Sequence, residues 1–200
     1  MKTEEIVKYL DEIIPNPRCE LNYNKDYELL IATVLSAQTT DKRVNEVTSI
    51  LFKKYPTLKD LKNANIEDIK KIIKKLGSFN KKAEYVIDVA KKIEPFGYVP
   101  NDRNFLESIK GVGRKTTNVV LSNIYNEQLI AVDTHVCRVS KRMGIAKDND
   151  DVLIVEKKLN KFFKGYDLSR LHHQLVLFGR YHCTSKKPKC NECKLKCKQF

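Results

Sequence analysis

Apolar residues recur at helical spacing along almost the whole chain. One such stripe of apolar residues lies near the N-terminus and consists of Ile6, Val7, Leu10, Ile13 and Ile14. Two more span residues 66–76 and 83–93. Apolar side chains three and four positions apart cover one face of an amphipathic helix. Only the short segment 129–132 has the composition of a strand. The sequence therefore predicts an all-α fold.

One helix is expected at the centre of this fold. Residues Leu29–Leu35 are apolar on every side, which is typical of a helix buried all round. Periodicity alone would also fit a buried strand, but the helical stripes elsewhere in the chain favour a helix. Further helices are predicted over 102–109, 114–124, 134–143, 151–163 and 169–181. We find no repeat, no low-complexity tract and no obvious linker. Any division into domains must then come from a chain that leaves one domain and returns to it.

The charge of the chain narrows the choice of partner. Lys and Arg outnumber Asp and Glu by 38 to 25 over 200 residues, a net charge of +13. Such an excess favours an anionic polymer as partner, although a Lys-rich composition bias explains part of it. The first residues lack the apolar core of a signal peptide, and no apolar run is long enough to span a membrane. We expect a cytoplasmic monomer whose thiols are reduced.

Four cysteines are concentrated near the C-terminus. Cys183, Cys190, Cys193 and Cys197 are separated by six, two and three residues in a Lys-rich tail. Four thiolates suit either a tetrahedral zinc ion or a [4Fe–4S] cluster, and a metal would order a tail with little apolar content. Zinc sites usually contain two Cys-x-x-Cys pairs, whereas this tail has one. The spacing therefore favours iron and sulfur over zinc, and over four unrelated thiols.

A glycine-rich turn lies between two predicted helices. Gly111, Val112 and Gly113 are followed by Arg114 and Lys115. Two glycines permit a tight turn, and the amides at the start of the next helix can bind a phosphate. By itself such a turn is more often a simple connection between helices.

Two polar segments have a structural and a functional interpretation. Asp133 precedes the helix 134–143 and is a good N-cap, and a carboxylate held rigidly in this way also suits catalysis. The stretch Ser36–Asp41 leaves the buried helix at a surface, where it forms either a plain loop or part of a site.

Together these segments resemble the endonuclease III family of helix-hairpin-helix DNA glycosylases. The resemblance runs nearly end to end and is carried by Leu29–Ala32 with Ser36–Gln38, Gly111–Thr116 with Asn118–Val120, Ala131–His135, His172-His173, Gly179–Tyr181 and the four cysteines. It implies a six-helix barrel domain over 20–127, with the hairpin motif at about 105–124. An iron–sulfur cluster domain would comprise 1–19 and 128–200, with a cleft between the two domains.

The resemblance also implies an activity and a role for each site residue. The family removes damaged pyrimidines from double-stranded DNA and nicks the strand, with Lys115 as nucleophile and Asp133 as the assisting carboxylate. Gln38 would fill the gap left by the flipped nucleotide, and the four cysteines would hold a [4Fe–4S] cluster. The remaining expected DNA contacts are Lys110, Gly111, Val112, Gly113, Arg114, Ser78, Phe79, Lys186, Lys187 and Lys189.

Three positions depart from the family pattern. Ile109-Lys110 replaces the usual Leu-Pro before the hairpin, which adds a cation at the expected phosphate site. Ser78 follows Gly77 where a leucine wedge is common, and Phe79 is the nearest substitute. The last cysteine gap is three residues where five is usual, which makes Cys197 the least secure ligand.

Two other functions fit parts of the sequence. A related glycosylase that removes adenine would share the fold, but such relatives often lack the hairpin lysine and carry an additional domain. A metal-stapled DNA-binding module would explain the charge, the turn and the cysteines, but it would leave Lys115 and Asp133 without a purpose. If the source is a prokaryote, we expect the protein at the nucleoid.

Overall fold

The computed structural model describes residues 2–195 and 197, and in these ranges the chain forms eleven α-helices and no strand. The all-α prediction is therefore confirmed. In chain order the helices are α1 (Thr3–Ile13), α2 (Asp26–Leu35), α3 (Asp41–Lys54), α4 (Leu58–Lys62), α5 (Ile66–Ile73), α6 (Phe79–Ile93), α7 (Arg103–Glu107), α8 (Arg114–Tyr125), α9 (Thr134–Arg142), α10 (Val152–Phe162) and α11 (Leu168–Tyr181). A single 3₁₀ turn follows at Cys190–Glu192.

The chain folds into two compact units. The internal unit comprises Glu20–Tyr125, and the terminal unit combines Met1–Cys19 with Asn126–Phe200. The terminal unit thus contains both ends of the described chain.

Helix α2 forms the centre of the internal unit. Every residue from Tyr27 to Leu35 is buried, and α2 contacts α3, α6 and α8. Its apolar residues on all sides explain this position, because a helix without a polar face gains most when it is surrounded. The expected central helix is confirmed.

Helix α11 organises the terminal unit by packing against α1 and α9. Gly179 lies on the α9 side, where a Cβ atom would come within 2.9 Å of His135 Cβ. The glycine therefore permits a close approach of the two helices. Arg170 and Gln174 donate hydrogen bonds of 2.8 Å to Asp11, which connects α11 with α1.

The segment with a strand-like composition does not form a strand. Ile130, Ala131 and Val132 are buried just before α9, without a regular partner segment in the described ranges. The side chains of Ile130 and Val132 contribute to the core of the terminal unit, which accounts for the composition without a sheet.

Candidate active site

The glycine turn and its two helices form a helix-hairpin-helix in the internal unit. Ile109 and Val112 are buried, and the Val112 amide donates to the Ile109 carbonyl at 3.0 Å. Gly111 has a φ of +83°, and a Cβ atom there would lie 2.5 Å from Cδ2 of Tyr85. Both the backbone conformation and the contact with Tyr85 on α6 require glycine at this position.

A second residue of α6 also holds the hairpin. The backbone amide of Lys110 donates to Asp88 Oδ2 at 3.1 Å, while the Lys110 side chain is exposed. Tyr85 and Asp88 were not anticipated from the sequence, because each meets the hairpin from more than twenty positions away. Together they hold the turn against α6.

The exposed side of the hairpin carries the candidate nucleophile. Gly111, Gly113, Arg114 and Lys115 are all exposed, and Lys115 lies in the first turn of α8. The amides at a helix N-terminus have no intrahelical partners, and the helix dipole adds a partial positive charge there. This surface therefore suits a phosphate group next to the Lys115 side chain.

Asp133 is the N-cap of α9 in the terminal unit, as its position in the sequence predicts. Its Oδ1 accepts hydrogen bonds from the amides of His135 and Val136, both at 2.8 Å. The half-buried carboxylate is thus fixed in orientation through a single oxygen, and the cap does not use Oδ2.

Gln38 and Ser78 share an unusual backbone conformation in the internal unit. Their φ angles are 54° and 55°, in the left-handed region that residues other than glycine seldom occupy. Both side chains are exposed, and Phe79 is half-buried at the first position of α6. Backbone strain of this kind is often concentrated at functional sites. The sequence contains no signal for it, since neither residue is a glycine.

The four cysteines of the tail lie close to one another in the terminal unit. Cys183 is buried, Cys193 and Cys197 are half-buried and Cys190 is exposed. Burial, followed by electrostatic repulsion from Cys193, Cys183 and Cys190, raises the pKa of Cys197 to about 11. The thiol of Cys197 is thus within electrostatic range of the other three.

Four cysteine thiols are a donor set that both a zinc ion and a [4Fe–4S] cluster take. Among the residues that the structure describes, no three His, Cys, Asp or Glu side chains form a group that could hold a metal ion. The chemistry of the four donors suits an iron–sulfur cluster, whose ligands are cysteine thiolates.

Two arginines of α9 hold the first cysteine of this group. Arg142 Nη1 donates to Cys183 Sγ at 3.3 Å and to the Thr184 carbonyl at 2.6 Å. Arg138 donates to the carbonyls of Cys183 at 3.2 Å and of Gly179 at 2.7 Å. Burial and the neighbouring Arg142 lower the pKa of Arg138. No sequence signal marks these arginines, since nothing local relates α9 to the tail.

The lysines between the first two cysteines are all on the surface. Lys186, Lys187 and Lys189 are exposed, and the Lys189 amide donates to the His182 carbonyl at 3.0 Å. The loop thus presents three cations to solvent.

None of the helices among the described residues is long and apolar enough to cross a bilayer.

Comparison with known proteins gives consistent matches over most of the chain. The family profile described as "HhH-GPD superfamily base excision DNA repair protein" matches residues 31–165. Endonuclease III of Bacillus subtilis (strain 168) is 45% identical over 188 residues, which are 93% of this chain and 86% of that protein. Endonuclease III of Escherichia coli (strain K12) is 42% identical over 194 residues, 96% of this chain and 92% of that protein.

Solved structures of helix-hairpin-helix glycosylases also match the chain. A trapped covalent intermediate of endonuclease III with DNA, an estranged-adenine complex, matches with a TM-score of 0.92 and 42% identity, over 99% of this chain and 96% of that one. A thermostable thymine-DNA glycosylase matches with a TM-score of 0.86 over 98% of this chain and 95% of that one. At 23% identity, the second likeness is one of fold alone.

Proposed function

The chain belongs to the endonuclease III family within the HhH-GPD superfamily of base excision DNA repair proteins, and we propose that it removes oxidised pyrimidines from duplex DNA and then cuts the strand 3′ to the abasic site. The observation that carries this proposal is the exposed Lys115 in the first turn of α8, directly after the glycine hairpin. The internal unit is assigned as the barrel domain and the terminal unit as the cluster domain.

Lys115 acts as the nucleophile in this proposal. Its neutral amine attacks C1′ of the damaged nucleotide, the bond from C1′ to the base breaks, and the base leaves with a proton. The C1′–O4′ bond then breaks, O4′ takes up a proton, and the nitrogen, which keeps one hydrogen, forms a protonated Schiff base with C1′. A base removes a proton from C2′, and the electrons of that C–H bond expel the phosphate from C3′, so that the strand 3′ to the site leaves with a 5′ phosphate. Water then hydrolyses the Schiff base and restores Lys115.

Asp133 assists through charge. A carboxylate stabilises the positive charge that develops on the sugar and accepts a proton during the transfer steps. The two amide bonds to Oδ1 support this role, because they fix the carboxylate before the substrate arrives.

The DNA contacts proposed from the family pattern fall into two groups. Lys110, the hairpin and the exposed lysines of the cysteine loop are suited to phosphates. Gln38, Ser78 and Phe79 are assigned to the space left when the damaged nucleotide is flipped out. We take the enzyme to act as a monomer on chromosomal DNA in the cytoplasm.

The four cysteines are assigned as ligands of a [4Fe–4S] cluster, which would supply a rigid anchor for the loop that carries the lysines. Arg138 and Arg142 hold Cys183 in place and offset the negative charge of a thiolate there. No step of the proposed reaction takes place at the cluster.

The proposed function is tested with a duplex that contains one abasic site. Incubation with the purified protein should nick the damaged strand 3′ to the site and leave an undamaged duplex intact. A protein that binds the duplex and leaves both strands whole is a DNA-binding module and contradicts the proposal.

The cysteine assignment predicts the metal content of the protein. Anaerobically purified protein should be brown, with broad absorption near ~400 nm and about four irons per chain. Because the assignment makes both thiols ligands of the cluster, Cys197→Ser should lose iron as completely as Cys190→Ser. The matched control is Cys19→Ser, which removes a half-buried thiol outside the group and should keep its iron. One zinc and no iron per chain would contradict the assignment.

The phosphate contacts predict a salt dependence. The logarithm of the affinity should fall with the logarithm of the salt concentration, with a slope of roughly −3 to −5 for the contacts proposed. Lys110→Ala should reduce the magnitude of that slope by about one and leave the lesion preference unchanged. Lys91→Ala removes an exposed charge of α6 and serves as the control. An unchanged slope in Lys110→Ala would place Lys110 away from the DNA.

A further inference from the structure

Lys82 is a charged residue in an apolar setting. It lies on α6 with only 4% of its surface exposed, among the residues that α6 buries in the internal unit. Burial lowers the pKa of its ammonium group. Within residues 2–195 and 197, no carboxylate forms an ion pair with it. A buried cation without a counter-ion is unfavourable unless hydrogen bonds or a function compensate for it.

The partners of Lys82 lie on either side of Gln38. Its Nζ donates to the Ala37 carbonyl at 2.8 Å and to Thr39 Oγ1 at 3.1 Å. Gln38, between these two partners, has the left-handed φ of 54°. The ammonium group thus binds the backbone of Ala37, which precedes the strained Gln38, and the side chain of Thr39, which follows it.

The backbone of Lys82 is connected to the second strained residue. Its amide donates to the Ser78 carbonyl at 3.1 Å, which closes the first turn of α6. Ser78 has a φ of 55°. Lys82 therefore joins the two segments of the internal unit in which non-glycine residues adopt the left-handed conformation, and both segments are exposed.

We propose that Lys82 is a positioning residue for the binding of damaged DNA. It fixes the Gln38 loop against the start of α6, and this orients Gln38 toward the space that the flipped nucleotide leaves. This rests on the proposed function, in which Gln38 contacts DNA. Preorganisation of a strained loop lowers the ordering cost at the moment of binding. Lys82 acts through Gln38 and does not touch the DNA.

The test compares a duplex containing one tetrahydrofuran site, which cannot be cleaved, with an undamaged duplex of the same sequence. Affinities for both are measured by fluorescence anisotropy. Lys82→Met should lose about tenfold in affinity for the tetrahydrofuran duplex, the effect expected of lost charged hydrogen bonds, and little for the undamaged one. Lys82→Arg, which retains charge and donors, should recover part of the preference.

Coupling to Gln38 separates positioning from a merely structural role. In a Gln38→Ala background, Lys82→Met should change the affinity for the tetrahydrofuran duplex by less than about twofold, because the residue through which it acts is gone. The matched control is Lys62→Met, which removes a partly exposed lysine paired with Glu94 and should bind both duplexes like the wild type.

Two outcomes overturn the inference: an unchanged preference in Lys82→Met, or effects of Lys82→Met and Gln38→Ala that multiply. If Lys82→Met does not fold, Thr39→Val replaces it, since it removes one acceptor at a half-buried position. It should lose about threefold by the same reasoning, and a folded Thr39→Val with full preference contradicts the inference. Nicking of an abasic duplex by the wild type tests the proposed function separately.

Discussion

Replacement of Lys115 by alanine is expected to abolish nicking of an abasic-site duplex. The rate should fall on the order of 10⁴-fold or more, the range seen when a nucleophile is removed from a catalytic group that acts as a unit. Because Lys115 is exposed in the first turn of α8, its truncation leaves no cavity, and the protein should keep its thermal stability. The rate is measured under single-turnover conditions with enzyme in excess.

Binding must be measured in the same protein. Lys115→Ala should bind the abasic duplex with an affinity near that of the wild type, since the hairpin amides and the other cations remain. Lys91→Ala, which removes an exposed lysine of α6, is the control and should nick at the wild-type rate. Full nicking by Lys115→Ala would show that another group is the nucleophile.

Asp133→Asn is expected to give a folded but slow enzyme. Asparagine caps helices as well as aspartate, so its amide oxygen can accept the bonds from His135 and Val136. Only the charge is lost. The single-turnover rate should fall by about 10²–10³-fold, the typical effect of removing one electrostatic stabiliser of a transition state.

Another helix cap in the terminal unit provides the control for this change. Asp151 caps α10 by accepting a hydrogen bond from the Ile154 amide at 2.8 Å, and it has no role in the proposed reaction. Asp151→Asn should keep both the melting temperature and the full rate. If Asp133→Asn is equally active, Asp133 is a structural cap and nothing more.

Local sequence patterns predict those parts of the molecule whose cause is local. The burial of α2 follows from apolar residues on all sides of Leu29–Leu35, and the cap at Asp133 follows from its residue type before an amphipathic stretch. The need for glycine at Gly111 is likewise predicted by the tight turn.

Contacts between distant segments could not be predicted in this way. Tyr85 and Asp88 meet the hairpin, and Lys82 meets the Gln38 loop, across intervals that carry no periodic signal. A lysine on a helix is normally assigned to the surface, so its burial at position 82 contradicts the usual expectation. Only the folded chain brings these groups together.

Backbone strain also could not be predicted from the sequence. Gln38 and Ser78 are in the left-handed region although asparagine or glycine would occupy it more readily. Tertiary contacts therefore impose the conformation. At Gln38 these contacts include the two hydrogen bonds that Lys82 donates to Ala37 and Thr39, the residues on either side.

In the proposed reaction, Lys115 forms a covalent bond with the sugar of the damaged nucleotide. Sodium borohydride reduces a Schiff base to a stable amine, so reaction on an abasic-site duplex should leave a permanent protein–DNA adduct. Protease digestion and mass spectrometry should locate that adduct on Lys115 among all the lysines of the chain, and Lys115→Ala should form none. An adduct on a different lysine, or one that persists in Lys115→Ala, would contradict the account.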